Sequence, residues 1–282
     1  GALKIPNLES LGIYSATRLS TGLTLPNTDS TIGTYAVARQ RSKGKDTPTG
    51  HHEIAGFTDL IGWHIFPEVV PVFPEKQMKK LIERANLIGV LGNKHASGEE
   101  IINECGEDHL TSGYPIVYTS ADSVLQIAAH EQGFGLDRLY KTCSIAAEIF
   151  KDLRVQRIIA RPFLGESKEE FYRTQNRKDF ILPPPIDTLC DKVIKYGKKC
   201  FGVGKISDIF GHRGISESVS GKSDDKLFDE MLDIIVKANA GDLIFANFVE
   251  FDTLYGHRRD LSGYARALEN FDKKLPKLFS IL

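Results

Sequence analysis

Leu243-Ile244-Phe245-Ala246-Asn247-Phe248-Val249 is an apolar run broken by one amide, and Glu250, Phe251 and Asp252 follow it at once. A short continuous apolar run ending in a carboxylate predicts a strand buried on both faces, with Asp252 at its carboxyl end. Beyond it, Leu261, Tyr264, Ala265, Leu268, Phe271, Leu275 and Leu278 recur at helical spacing as one apolar stripe, behind the charged start Arg258-Arg259-Asp260. The pattern repeats upstream. Ile116-Val117-Tyr118-Thr119 predicts a buried strand, and Ser120-Ala121-Asp122-Ser123 predicts the N-cap of a helix through Val124, Ile127 and Ala128. Residues 155–160 predict another strand, stopped at Arg161-Pro162 where proline removes a donor, and Cys200 to Val203 a further one, ending at Gly204-Lys205. Strands that end in polar turns and lead into helices define an α/β protein with a mostly parallel sheet. Ligands of such sheets gather at the carboxyl ends of strands, which places Ser120, Arg161, Lys205 and Asp252 near a bound substrate.

Composition narrows the field. The 282 residues are 41% hydrophobic without a stretch apolar enough to span a bilayer, so one large or two modest soluble domains are expected. Lys plus Arg (36) balance Asp plus Glu (37), so no overall field recruits nucleic acid or an anionic membrane, and any anion site must be local. Cys105, Cys143, Cys190 and Cys200 form no CxxC pair and no signal peptide is read ahead of them, so free cytosolic thiols are expected. Leu182-Pro183-Pro184-Pro185 is either a stiff connector between two domains, with a matching crossing near residues 63–67, or a plain proline-rich loop.

Two constellations carry chemistry. Ser42-Lys43-Gly44-Lys45-Asp46-Thr47-Pro48-Thr49-Gly50-His51-His52-Glu53 packs hydroxyls, cations, carboxylates and imidazoles into one glycine-flanked stretch. A threonine hydroxyl needs a base or a metal to act as a nucleophile, and lysines offset charge on phosphoryl oxygens, so the segment suits phosphate chemistry. Such a segment is more commonly a solvated polar loop. Asp252 and His257, five residues apart across a strand end and a turn, can converge on one cation. Capping aspartates and structural histidines are commoner than metal pairs. Glu250, on the same strand face as Asp252, is a candidate to support that cation from behind.

Gly44-Lys45-Asp46-Thr47-Pro48-Thr49-Gly50-His51 resembles the phosphothreonine loop of the phosphopentomutases, members of the alkaline phosphatase superfamily. Tyr118 to Glu131 and Arg157-Ile158-Ile159-Ala160-Arg161-Pro162-Phe163 resemble that family's cap signatures. Asn93 to Gly98, Arg173 to Arg177, Gly204 to Ile209 and Phe251 to Asp260 match in family order. The resemblance implies an alkaline-phosphatase-like core in two parts, residues 1–65 and 184–282, with an inserted α/β cap over 66–183. It implies two divalent cations, usually Mn2+ with Mg2+ or another divalent ion as substitutes, Thr47 as the phosphorylated residue, and Asp252 and His257 as ligands of one metal. Ser120, Asp122, Val124, Arg157, Ile159 and Arg173 would face the sugar phosphate from the cap or its interface, and Lys205 from the core. Phospho-Thr47 would give its phosphoryl group to the free hydroxyl of ribose or deoxyribose 1- or 5-phosphate, and the 1,5-bisphosphate would turn around to rephosphorylate Thr47. A cytoplasmic monomer acting on a pentose phosphate, without nucleic-acid or membrane partners, is the corresponding expectation.

The chain departs from the family at both ends. It opens at Gly1-Ala2-Leu3-Lys4-Ile5-Pro6-Asn7, resembling a segment downstream of the family's first metal-bearing strand, and stops at Leu282 before the strand that bears Asp-His-Gly. The expectation is therefore a piece of a longer enzyme, with terminal core strands missing and Asp252 and His257 alone leaving a cation under-coordinated and the mutase inactive. A different metal-dependent phosphosugar mutase or phosphatase of the same superfamily, and an inactive sugar-phosphate-binding fragment, are the alternative readings.

Overall fold

The computed structural model describes residues 3–26, 31–120 and 123–282. The chain enters through α1 (Pro6–Ser10) and α2 (Ile13–Thr21). The first of these is tied to a distant helix: the buried carboxylate of Asp272 accepts from the Leu8 N–H at 2.7 Å and from the Asn7 side-chain amide at 2.9 Å. α3 (Thr47–Ile54) begins where the Asp46 carboxylate accepts from the Thr49 N–H and Pro48 presets φ in the first turn. α4 (Glu75–Arg84) follows.

The first sheet is mixed. Its strands are β1 (Leu91–His95), β2 (Ile116–Thr119), β3 (Val124–His130), β4 (Arg157–Leu164), β5 (Tyr172–Arg173) and β6 (Lys178–Ile181), with α5 (Gly98–Ser112) between β1 and β2 and α6 (Leu136–Phe150) between β3 and β4. Spatial order is β1-β2-β3-β4-β5, with β6 also paired to β4; β1/β2 and β3/β4 run parallel and the other pairs antiparallel. The predicted helix through Val124, Ile127 and Ala128 is thus β3, antiparallel to β2 with Tyr118 opposite Gln126. Val124, Leu125, Ile127, Ala128 and Ala129 are all buried, and a segment apolar all round has no period by which to separate strand from helix. Nor does Pro162 stop β4. Its carbonyl accepts from the Thr174 N–H on the outer side of the strand, so its missing donor faces that side too, where the partner changes from β6 to β5.

Alternation along the strands separates two faces. Val117, Leu125, Ile127, Ala129, Ile158 and Ala160 pack on α4 and α6 around Leu81, Leu139, Cys143 and Phe150. Each large side chain fully buried here contributes about 1.5–3 kcal/mol. On the opposite face, Ile116, Tyr118, Ala128 and Phe163 pack on α5 through Ile101, Ile102 and Cys105. The same face carries Val124, Gln126, Arg157, Ile159, Arg161 and Asp179, as the registers Val124/Arg157, Gln126/Ile159, Ala128/Arg161 and Ile159/Asp179 require.

Pro183, Pro184 and Pro185 lead from β6 to α7 (Leu189–Lys195), and the guanidinium of Arg213 fixes that passage by donating to the Pro184 carbonyl at 2.6 Å. There follow β7 (Cys200–Val203), α8 (Ile206–Ile209), β8 (Glu217–Val219), α9 (Asp224–Lys237), β9 (Leu243–Ala246), α10 (Leu261–Asp272) and α11 (Leu275–Phe279). This second sheet is parallel throughout, ordered β8-β7-β9. β9 ends three residues earlier than its apolar run: the Asn247 N–H makes the last bond to Val203, and Phe248 turns aside to pack on Phe228 and Phe271. It is half-buried rather than sealed on both faces, with Leu243 and Phe245 against one cluster, Ile244 and Ala246 against another, and β7 its single partner among the described residues. The predicted helix from Leu261 to Leu278 breaks at Lys273 and Lys274, because Pro276 cannot donate within a continuous helix. Among the described residues, no helix is long and apolar enough to cross a membrane.

Candidate active site

The polar segment ahead of α3 is a built loop. Both oxygens of Glu53 accept from the backbone, from Arg41 N–H at 2.8 Å and Ser42 N–H at 2.9 Å, and Ser42 Oγ accepts from the Asp59 N–H at 2.8 Å. Asp46 Oδ2 accepts from the Thr49 hydroxyl at 2.8 Å and from Trp63 Nε1 at 3.0 Å, and the same indole N–H lies 2.8 Å from Thr49 Oγ1. Gly44 crosses so close to this knot that a Cβ there would lie 2.3 Å from Thr49 Oγ1. Trp63 is in turn covered by the Arg154 guanidinium, which donates to the buried Asp59 carboxylate at 2.6 Å and to the Gly62 carbonyl at 3.1 Å.

Thr47 is the first residue of α3, with its side chain exposed and its hydroxyl bonded to no described residue. The free N–H groups and dipole of a helix start favour negative charge at that position. One turn on, His51 Nδ1–H donates to the Thr47 carbonyl at 2.8 Å, while the Asn247 amide donates to His51 Nε2 at 2.9 Å. The second bond requires the neutral ring, and burial holds its pKa below the ordinary histidine value. Gly204 closes the group, since a Cβ on it would lie 2.4 Å from the Asn247 carbonyl oxygen. Thr47's helix is thereby anchored at the carboxyl ends of β7 and β9.

A cavity of about 460 Å³ opens beside this loop, lined by Lys43, Lys45, Asp46 and Trp63 on one side and by Ser123, Gln156 and Arg157 of the first sheet on the other. Of the residues singled out from sequence, Arg157 lines it, 3.7 Å from Asp179, and Thr47 adjoins it through Asp46. Val124 and Ile159 do not line it and are buried, at 1% and 2% exposure. Ser120 is half-buried and accepts from Gln126 Nε2 at 3.4 Å. It ends β2 and caps no helix. Asp122 lies outside the described residues. Arg173, on β5, donates to Glu99 at 2.8 Å beside a separate cavity of about 350 Å³. Lys205 is exposed at the start of α8, directly after Gly204.

Asp252 and His257 do converge. They bracket the turn Phe251–Gly256, a wide helical turn with i to i+5 bonding, and Asp252 Oδ2 stands 3.1 Å from His257 Nε2, with both side chains exposed. A carboxylate and an imidazole on one turn fit part of a divalent-cation site. Among the described residues, no group of three or more His, Cys, Asp or Glu gathers to complete one. Glu250 is turned away: it exchanges backbone bonds with Asp224 at the start of α9, accepting from the Asp224 N–H at 3.1 Å while its own N–H donates to Asp224 at 3.0 Å.

Sequence reasoning passed over Trp63, the sole tryptophan, and the pairs His51/Asn247 and Gln126/Arg161. All of them join residues that lie far apart in the chain, and they leave no local signal.

A helix-borne hydroxyl beside a cationic cavity, with a carboxylate/imidazole pair on the turn after β9, belongs to a metal-dependent phosphotransfer enzyme, and residues 188–282 match the Metalloenzyme superfamily. The similarity to known enzymes extends over nearly the whole chain. It is 50% identical to the phosphopentomutase of Chelativorans sp. (strain BNC1) over 98% of this chain and 68% of that protein, and 51% identical to that of Chromohalobacter salexigens over 99% and 68%. The phosphopentomutase of Shewanella loihica is 47% identical over all of this chain and 70% of its own length. The chain belongs to the phosphopentomutase family, whose substrate is a small sugar phosphate and whose superfamily implies a divalent metal.

Proposed function

We propose that the phosphopentomutase reaction runs through a phosphorylated Thr47, and that the carrying observation is its free hydroxyl at the head of α3 beside the cationic cavity. The P–O bond to Thr47 breaks as the free hydroxyl of a pentose monophosphate forms its own bond to phosphorus, and the proton that hydroxyl loses is balanced by the one the departing Thr47 oxygen takes up; the Thr47 hydroxyl is left to be rephosphorylated from the other end of the 1,5-bisphosphate. Lys43 and Lys45 offset the charge of the phosphoryl oxygens at the rim, and Arg157 binds substrate from the facing sheet. Ser120, Asp122, Val124, Ile159 and Arg173 are read as further contacts of the sugar phosphate from the cap side, and Lys205 as one from the core.

Asp252 and His257 would hold one divalent ion, Mn2+ by family expectation, with Mg2+ compatible with the same donors. Such an ion supplies charge compensation for the phosphoryl group in flight. Residues 66–183 serve as a cap over a core built from 1–65 and 184–282, excluding water that would hydrolyse phosphothreonine. The enzyme is read as a cytoplasmic monomer without nucleic-acid or membrane partners.

Replacement of Thr47 by Val in the full-length enzyme tests the proposal. Interconversion of ribose 1- and 5-phosphate should fall by at least about a thousandfold, and the phosphoryl mass found on the wild-type peptide should vanish. Retained turnover in the Val variant would exclude Thr47 as the carrier.

A further inference from the structure

We infer that Gln156 donates its side-chain amide N–H to a hydroxyl of the pentose, so that the sugar itself is read from the wall of the cavity. The inference rests on the phosphopentomutase reading of the site and deepens it by naming a sugar contact on a residue which that reading leaves without a role.

Gln156 is 2% exposed and lines the cavity of about 460 Å³, one residue ahead of β4. Its backbone is fully engaged. The Gln156 N–H donates to Ser123 Oγ at 3.1 Å, and its carbonyl accepts from the Leu182 N–H at 2.9 Å. These bonds tie the residue to the start of β3 on one side and to the chain leaving β6 on the other. The side chain is different: Nε2 is buried and donates to nothing among the described residues. A buried donor left without an acceptor lowers stability, whereas an apolar residue of similar size carries no such cost. Packing alone therefore favours an apolar side chain here, and the amide is accounted for by an acceptor that enters the cavity. The terminal torsion of glutamine is broad and roughly twofold, so the N–H can turn to meet it.

The chemistry of the walls says which acceptor. Lys43 and Lys45 supply the cations that a phosphoryl group needs, while Ile61, Trp63 and Ile65 give apolar surface for ring carbons. A neutral amide adds little for a dianion beside such cations, but it suits a hydroxyl, which accepts one hydrogen bond and keeps its own proton to donate elsewhere. Strand alternation puts Gln156 on the side of Ile158 and Arg157 on the side of Ile159, yet both line the cavity. The cavity thus reaches past the end of the sheet, where a sugar can meet the amide while its phosphate lies among the cations. A buried donor of this kind discriminates strongly, because a ligand without the matching hydroxyl leaves it unpaired.

The test compares full-length Thr47→Val protein with and without Gln156→Leu by calorimetry, using ribose 5-phosphate, 2-deoxyribose 5-phosphate and inorganic phosphate. Ribose 5-phosphate affinity should fall about tenfold in the Leu variant, with the urea midpoint unchanged or raised because the unmade donor is gone. Inorganic phosphate, which carries no sugar, should bind both proteins alike. A loss confined to ribose 5-phosphate assigns the contact to the 2-hydroxyl, and an equal loss for both sugars assigns it to a hydroxyl they share. Unchanged affinity for both sugar phosphates would overturn the inference, as would an equal loss for inorganic phosphate. Should the Leu variant not fold, the nearly isosteric Gln156→Met decides by the same comparison. The Thr47 proposal stands or falls on turnover and phosphothreonine mass, neither of which this comparison uses.

Discussion

Gly44 is decided by a distance. A methyl group there would stand 2.3 Å from Thr49 Oγ1 and 2.7 Å from Asp46 Oδ2, atoms already committed to each other and to Trp63. Gly44→Ala should therefore cost about 1–3 kcal/mol, read as a lowered urea midpoint, and should raise KM because the displaced loop forms the cavity rim. Trp63 is sensitive in another way. Its indole N–H serves two acceptors, so Trp63→Phe should lose about 1 kcal/mol from these bonds and a further part from the packing of the missing ring, read as a lowered urea midpoint. The polar loop around Thr47 and the nearness of Asp252 to His257 were legible in the sequence because each lies within a few consecutive residues. The contact between Arg161 and Gln126 was not, since the two are 35 positions apart and meet only through strand register.

At the level of elements, legibility depended on whether a segment had a distinctive period. β2 and β7 were readable as compact apolar runs closed by polar turns, and α10 as a one-sided stripe. β3 was not, because every residue from Val124 to Ala129 is buried and the pattern fits either structure. Pro162 misled for a related reason: proline forbids a donor on one side of a strand, and whether that side needs one depends on a partner invisible in local sequence. The hold of α10 on α1 through Asp272 is likewise non-local. Asp272→Ala would leave the Asn7 amide and Leu8 N–H without their acceptor and should cost about 1–3 kcal/mol, measured as a lower midpoint of chemical unfolding.

For the whole molecule, two buried histidines and one half-buried one set a common pH dependence. His51, His52 and His109 all have pKa values pushed down, in each case first by burial. His51 and His109 also use a bare ring nitrogen as an acceptor, from the Asn247 amide and from the His130 N–H at 2.8 Å, and protonation would abolish both bonds. The unfolded chain takes up these protons near pH 6.5 while the folded chain resists, so the stability present above that pH declines as pH falls through it, until the folded-state histidines themselves protonate. The urea midpoint should be lower at pH 5.5 than at pH 7.5, and His109→Gln should flatten the difference. The grip of Asp272 on α1 bears also on the order in which the chain acquires structure during synthesis. The bonded residues are 264 and 265 positions apart, so α1 leaves the ribosome long before its partner exists. The first sheet, closed within residues 91–181, has every strand in hand far earlier, and nascent chains should reach it first, with α1 waiting for the last helices.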